Sequence, residues 1–190
     1  MTFSCPSLIL GENVAMQFDR KYARIERERR FVLDGFPSGL NVVRTRHIKD
    51  RYIDGTTLRL RQQSDDDGST AFKLTQKVPS PANGAQQGFI TTIYLTQDEF
   101  AIVAQLSAKP LSKTRYSVPP FGIDVFEDVL EGLVLAEAEF ESAREADALM
   151  LPSFIVREVS DDNRFTGGQL ARASRADIQL WLSQYRIKLA

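Results

Sequence analysis

The sequence predicts an α+β fold: an antiparallel β-barrel or strongly curved sheet with helices packed outside it and at the C-terminus. Seven or eight segments of strand character follow one another at short spacing, with turn residues between them. Helical patterns cluster between and after these segments, which argues for an antiparallel architecture. Five segments place charges two residues apart: Glu26-Arg27-Glu28-Arg29-Arg30, Arg59-Leu60-Arg61, Lys73-Leu74-Thr75-Gln76-Lys77, Lys113-Thr114-Arg115 and Glu137-Ala138-Glu139. On a strand, that spacing collects them on a single face. In the last four the other face is mostly apolar, so a closed sheet with a charged inside would gather all five.

The elements follow in order. Residues 1–21 form a weakly specified lead-in, with a short helix expected around Asn13 to Phe18. Strands are expected at Lys21 to Val32, within Leu40 to Tyr52, at Thr56 to Gln62 and at Ala71 to Val78. Asp34-Gly35-Phe36-Pro37-Ser38-Gly39 and Asp54-Gly55 are turns. Ser64-Asp65-Asp66-Asp67-Gly68 reads as a hairpin tip with solvated carboxylates. Pro79 to Gly88 reads as a flexible loop, and Phe89 to Leu95 as a strand rich in β-branched residues. Thr96-Gln97-Asp98-Glu99 is a capping box that opens a helix to about Leu106, with Phe100, Val103 and Ala104 facing inward. Strands at Leu111 to Val118, Ile123 to Leu130 and Leu133 to Glu141 come next, with a turn at Glu131-Gly132. Ser142 caps a helix to Met150. Two short helices follow Pro152, the second at Arg175 to Leu189 with Ile178, Trp181, Leu182 and Tyr185 on its apolar side.

Composition narrows the function. At 190 residues, 43% hydrophobic and 26% charged, the chain suits one globular domain over 1–190. A formal net charge of −1 leaves no broad basic surface, so duplex nucleic acid is not an expected partner and any polyanion site must be local. Cys5 is the only cysteine, which excludes an intramolecular disulfide and favours a reducing compartment. Residues 1–20 lack a basic start followed by an apolar core, and no run approaches roughly 18 apolar residues. The expectation is a soluble, cytoplasmic protein with no membrane partner. His47 is the only histidine, so neither a Cys/His zinc set nor a choice of Ser-His pairs exists, and His47 reads as a plain surface or loop residue. A metal here has to be hard and oxygen-ligated, such as Mg²⁺ or Mn²⁺.

The charged positions divide by sign. Arg59, Arg61, Lys73, Lys77, Lys113 and Arg115 are basic, whereas Glu26, Glu28, Glu137 and Glu139 are acidic and lie near the two ends of the strand region. Closure of the sheet would make the acidic strands neighbours. Clustered carboxylates repel unless a cation sits between them, and clustered Arg and Lys need anions, for which phosphate oxygens suit the guanidinium fork. A short chain of phosphates chelated to a divalent metal satisfies both.

These segments resemble the CYTH domain, also called the triphosphate tunnel metalloenzyme family. Glu26-Arg27-Glu28-Arg29-Arg30 is similar to its ExExK strand. Leu58-Arg59-Leu60-Arg61, Leu74-Thr75-Gln76-Lys77, Lys113-Thr114-Arg115-Tyr116, Asp124-Val125-Phe126 and Gly132 through Phe140 follow in the family's order, and Glu158 through Phe165 is similar to its closing segment. The resemblance covers a core at 22–170, leaving 171–190 as a C-terminal helix. It implies an eight-stranded antiparallel β-barrel, or tunnel, and Mg²⁺- or Mn²⁺-dependent hydrolysis of a triphosphate, inorganic or small organic. By position, Glu26, Glu28, Glu137 and Glu139 would be metal-side carboxylates. Arg59, Arg61, Lys73, Lys77, Lys113 and Arg115 would hold phosphates; Arg164 reads either as a cation closing over them or as a member of a surface salt bridge. Arg30 and Asp124 would complete the catalytic set, Asp124 between metal support and water activation.

Two departures stand out. Arg30 replaces the motif lysine, keeping charge but not a transferable proton. Thr92 stands where a carboxylate is expected, on a strand that also lacks the family's arginine. These changes motivate one alternative to hydrolysis, a non-catalytic sensor of polyphosphate or nucleoside triphosphate. The resemblance offers another, ATP cyclisation as in class IV adenylate cyclases, but the sequence shows no base-reading element and simple hydrolysis is favoured. Trp181 and Tyr185 read as packing anchors of the last helix. A homodimer is an option the sequence leaves open.

Overall fold

The computed structural model describes residues 21–80 and 84–189. Its strands are β1 (Arg24–Leu33), β2 (Arg44–Ile53), β3 (Leu58–Asp65), β4 (Thr70–Ser80), β5 (Gly84–Leu95), β6 (Ala108–Val118), β7 (Phe121–Phe126), β8 (Val134–Glu139) and β9 (Ile155–Glu158). All pairings are antiparallel, in the order β5-β4-β3-β2-β6-β7-β8-β1, and a β5–β1 pairing closes these eight strands into a barrel. The strand β1 is the seam. Its first residues, Arg24 to Arg27, pair with β5, while Glu28 to Val32 pair with β8 along the other edge. Where β5 leaves, β9 takes over through Phe31 to Leu33. There the Arg30 N–H donates to Ser160 Oγ at 3.0 Å and the Val159 N–H donates to the Arg30 carbonyl at 2.8 Å, so the seam keeps its backbone partners.

Alternation along the strands separates three environments. Even positions of β1, β2, β4's neighbour β5 and β7, and odd positions of β3, β4, β6 and β8, face the lumen. At one end those lumenal positions turn apolar. Val32, Leu111, Phe126 and Leu135 pack there with Phe165, Leu170, Ile178 and Leu182 from the C-terminal segment, which caps that end. The opposite faces of the same strands carry Phe31, Leu33, Phe121, Ile123, Val134 and Ala136, a second core covered from outside by Leu149, Phe154 and Ile155. Between the cap and the other mouth the lumen is charged.

Among the described residues, four short helices flank the barrel: α1 (Gln97–Val103), α2 (Ala143–Asp147), α3 (Gly167–Leu170) and α4 (Arg175–Ser183). The Thr96–Glu99 capping box forms as expected, and Phe100 stacks on Phe72 with ring centroids 4.7 Å apart, fixing α1 against β4. Ser142 caps α2, and a Ser174–Asp177 box caps α4. Gly167 lets the cap approach the barrel, since a Cβ there would collide with the Tyr52 hydroxyl.

Several boundaries differ from the sequence reading. The Pro79–Gly88 loop is largely strand: β4 runs on to Ser80 and β5 starts at Gly84, while residues 81–83 lie outside the described residues. Cross-strand pairing outweighs the local prolines and glycines here. The strand expected to Leu130 stops at Phe126 and gives way to a 3-10 turn at Asp128–Leu130. The segment after Pro152 holds β9 before its helices, because the exposed edge of β1 recruits Ile155–Glu158. The last helix ends at Ser183, not Leu189, with Arg186 in the left-handed region at φ 61°. The helix expected around Asn13 to Phe18 lies outside the described residues.

Ile178 is 0% exposed in the cap core. Ile178→Ala is expected to cost about 2–5 kcal/mol, lowering the thermal midpoint by about 5–20 °C for a chain of this size. Leu180→Ala, on the exposed side of the same helix, stays within about 0.5 kcal/mol. Calorimetry of the two variants checks the cap.

Candidate active site

The lumen is a cavity of about 1360 Å³. Eleven Arg and Lys side chains and five carboxylates line it, so it is strongly cationic in a chain whose net charge is −1. The basic side project from β2, β3, β4 and β6; the carboxylates come mainly from the seam strands β1 and β8. Glu28 faces Glu139 in register and Arg30 faces Glu137, so closure does bring the two acidic strands together. Arg27 and Arg29 point the other way, and Arg29 holds Glu158 of β9 through bonds of 2.8 and 2.6 Å.

Two fully buried aspartates organise the basic walls. Asp50, on β2, accepts from Arg61 Nε and NH2 at 2.7 Å each and lies 3.8 Å from Arg59 Nε. Burial alone would push its pKa up, but Arg61 and Arg59 together outweigh burial and hold it at about 2. Asp124, on β7, accepts from Arg115 Nε and NH2 at 2.6 Å each and also pairs with Lys113. Gly122, next to Asp124's strand position, leaves room for the Arg115 stem, which a Cβ would meet at 3.3 Å. Arg115 reaches on to Glu137, and burial of that carboxylate is outweighed by Arg115 and Lys113, so its pKa lies well below the ordinary value.

The seam carboxylates have partners of their own. Lys77 Nζ lies 2.6 Å from Glu26 and 3.9 Å from Glu28. Arg30, 1% exposed, has its Nε 3.3 Å from Glu28. The pKa of Glu28 is raised, by burial first and then by Glu137 and Glu26, with Lys77 and Arg30 opposing. Among the described residues no three carboxylate, thiol or imidazole side chains enclose a common ion position. Four crowded carboxylates with oxygen donors still fit a hard divalent cation in their chemistry, once they turn from the protein cations they now hold.

The lumen brings together Glu26, Glu28, Arg30, Arg59, Arg61, Lys73, Lys77, Lys113, Arg115, Glu137 and Glu139 from the sequence-derived set. Two members stand elsewhere. Arg164 does not line the cavity; it is bound to Asp162 at 2.6–2.8 Å and to Gln184 at 2.8 Å and lies over the Trp181 ring. A carboxylate two residues away in a turn captures it before it can reach the lumen. Asp124, at 0% exposure, sits behind Lys113 and Arg115, where it anchors cations. His47 is exposed on the outer wall, with Nδ1 3.1 Å from Thr114 Oγ1. Trp181 and Tyr185 pack on Phe165, with centroids 6.2 and 6.1 Å away.

Sequence reasoning passed over Asp50, Arg44, Arg46 and Asp65. Arg44 and Arg46 share the lumenal face of β2 with Asp50 and Tyr52, a period-two pattern obscured by Lys49 and Arg51 on the outer face. Asp65 is not a solvated tip residue: its side chain is 10% exposed and pairs with Arg44 and, at 3.7 Å, Arg46. On β5 the lumenal positions are Gly88, Ile90, Thr92 and Tyr94, none of them charged. Thr92 Oγ1 is 3.0 Å from Thr75 Oγ1.

No protein-family model matches the chain. The chain is 35% identical over 156 residues to a protein of Nitrosomonas europaea named inorganic triphosphatase, covering 77% of this chain and 96% of the relative. The chain belongs to the family of that relative. Crystal structures of the inorganic triphosphatase NE1496 and of the hypothetical protein NE1496 match at 25% and 26% identity, each with a TM-score of 0.52. Both matches cover 78% of this chain, with 95% of the first structure and 99% of the second. The closed antiparallel barrel is therefore the family's architecture.

Asp50→Asn is expected to cost about 3–5 kcal/mol at neutral pH, because it strips a buried partner from two arginines. Asp50 has a folded pKa near 2 against an ordinary 3.8, so its contribution is complete above about pH 4 and fades as pH falls toward 2. The stability gap between wild type and variant should narrow by about 2 kcal/mol over that window in urea titrations; a gap that does not narrow as pH falls contradicts the assignment.

Proposed function

We propose that the protein is a divalent-metal-dependent triphosphatase of the CYTH, or triphosphate tunnel metalloenzyme, type. It would cleave a phosphoanhydride bond of tripolyphosphate or a small organic triphosphate. One observation carries the reading: a cationic cavity, organised by buried aspartates, faces a row of carboxylates across the lumen. The naming of the Nitrosomonas europaea relative as an inorganic triphosphatase supports the same substrate class.

The chain's residues divide the work by charge and rigidity. Arg59, Arg61 and Arg115 are held by Asp50 and Asp124, so their remaining donors are aimed before a substrate arrives, and they bind phosphoryl oxygens without reorganising. Lys113 is buried, and burial first, then Arg115 and Arg61, lowers its pKa, which Asp124 partly offsets. A proton held at its Nζ is thus more readily shared with a leaving oxygen. Arg30 contributes charge and no proton transfer. Glu26, Glu28, Glu137 and Glu139 would hold Mg²⁺ or Mn²⁺, which when bound neutralises phosphate charge and polarises the phosphorus–oxygen bond. The uncharged lumenal face of β5 favours one second reading, a binding protein that does not turn its ligand over.

No helix among the described residues is long and apolar enough to cross a membrane. A cytoplasmic location suits the single cysteine, Cys5. No membrane or duplex partner is part of the reading.

Orthophosphate release from tripolyphosphate, ATP, GTP and thiamine triphosphate, with Mg²⁺ and with Mn²⁺, tests the proposal. Release that stops on chelation of the metal is expected. Tight triphosphate binding with no release from any substrate favours the sensor, and cyclic AMP as the product from ATP favours cyclisation. Arg59→Ala should lower kcat/KM by about 10–100-fold, the equivalent of one or two charge-assisted hydrogen bonds. Glu139, 56% exposed, becomes a second probe: Glu139→Gln should leave the thermal midpoint nearly unchanged and reduce release by more than about tenfold.

A further inference from the structure

Lys77 differs from the lumenal cations that the buried aspartates hold. Arg59, Arg61, Lys113 and Arg115 are held by Asp50 or Asp124, which are buried behind the lining. Lys77 instead reaches from β4 to the seam strand β1 and sets its ammonium 2.6 Å from Glu26 Oε2 and 3.9 Å from Glu28 Oε2. The intervening strand gives it no reason to stay: its register neighbour on β5 is Ile90, and Gly88 faces Glu26. At 38% exposure its side chain also borders the water of the lumen, where movement is easy. The ammonium thus lies within 4 Å of both seam carboxylates.

We propose that Lys77 is a tethered cation that holds Glu26 and Glu28 until a divalent ion displaces it, and that the released ammonium then takes a phosphate oxygen. This rests on the metal reading above. A single ammonium on a four-carbon stem relieves the repulsion of the two carboxylates, and a divalent ion relieves it more strongly. Without triphosphate, metal binding must eject Lys77 into a lumen already rich in cations, which weakens it. With triphosphate present, the ejected ammonium has an anion to meet. Metal and substrate thereby favour each other's binding, beyond the direct chelation of one by the other, and the coupling is reciprocal.

Calorimetric titration of Mn²⁺ into wild type, Lys77→Met and Lys77→Arg, without and with an imido-bridged, non-hydrolysable triphosphate, separates the cases. The tethered cation predicts that Lys77→Met binds Mn²⁺ alone about tenfold more tightly than wild type, and that the analogue enhances Mn²⁺ binding less in that variant than in wild type. Lys77→Arg keeps the charge and should bind Mn²⁺ alone like wild type. Equal affinities and equal enhancement in Lys77→Met and wild type overturn the role of Lys77 and leave the metal site standing. No Mn²⁺ bound by any of the three, with or without analogue, overturns the metal reading and this inference with it. The wild-type protein offers a readout independent of how the variants fold. The side-chain ¹⁵N resonance of Lys77, assigned through its own side-chain carbons in the wild-type protein, should move when Mg²⁺ is added. An unmoved resonance under saturating Mg²⁺ rejects displacement.

Discussion

The structure depends on neutralising charge inside a closed sheet. An isolated ion in a protein interior is so costly that it survives only with a partner and satisfied hydrogen bonds. Asp50 and Asp124 supply that partner for the basic walls, each lying behind the cations it holds and each with a bidentate arginine. They sit on β2 and β7, on either side of β6, so the two anions bracket the strand that carries Lys113 and Arg115. The aspartates project from the lumenal face but are covered by the longer cationic side chains, which keep their outer donors toward the cavity. Charge is therefore balanced at the back of the wall and left available at its front.

The seam solves a second problem, which is how one strand can serve a wet lumen and a dry core. In β1, Arg24, Glu26, Glu28 and Arg30 line the lumen, and Phe31, Val32 and Leu33 follow at once, all nearly inaccessible. The charged half closes the barrel against β5, and the apolar half enters both cores, Val32 inward to the cap and Phe31 and Leu33 outward. The change from charged to apolar along ten residues marks the floor of the cavity. Because β9 pairs only with the apolar half, the extra strand reinforces the dry end without narrowing the charged one.

Much of this was legible in the sequence because period-two charge is a strong signal when it recurs. One such pair on a strand is an ordinary solvated face; five in order, split by sign, require a common inside. The Thr96–Glu99 capping box was legible because it depends on residues three apart and on nothing distant. The misses share the opposite property. Asp50 lies in Lys49-Asp50-Arg51, where basic neighbours of the other face hide its parity. Asp65 opens an acidic run whose composition describes Asp66 and Asp67, whereas its own partners, Arg44 and Arg46, arrive only through the β2–β3 register. The strand β9 exists because β5 leaves an edge open, a fact about another part of the chain. Arg164 read either as a cation closing over phosphates or as a member of a surface salt bridge, and the Asp162 carboxylate two residues before it decides for the salt bridge.

The cations of the lumen fall into two electrostatic classes. Arg115 and Arg59 have raised pKa values despite burial, because Asp124 and Asp50 stabilise their charge. Lys73 and Arg46 have lowered ones, by burial first and then by other cations: Arg61 and Arg46 act on Lys73, and Arg44 acts on Arg46. For this second class the protein provides too little negative charge: Lys73 meets the neutral amide oxygen of Gln63 at 3.4 Å and the Tyr94 ring at 5.2 Å. A polyanion in the lumen would raise those pKa values and relieve the mutual repulsion of the cations. By linkage, the same interaction that strengthens their hold on protons strengthens binding of the anion. A triphosphate therefore acts as the missing counter-charge of this barrel, and the fold supplies rigidity at the cations it has paired and affinity at those it has not.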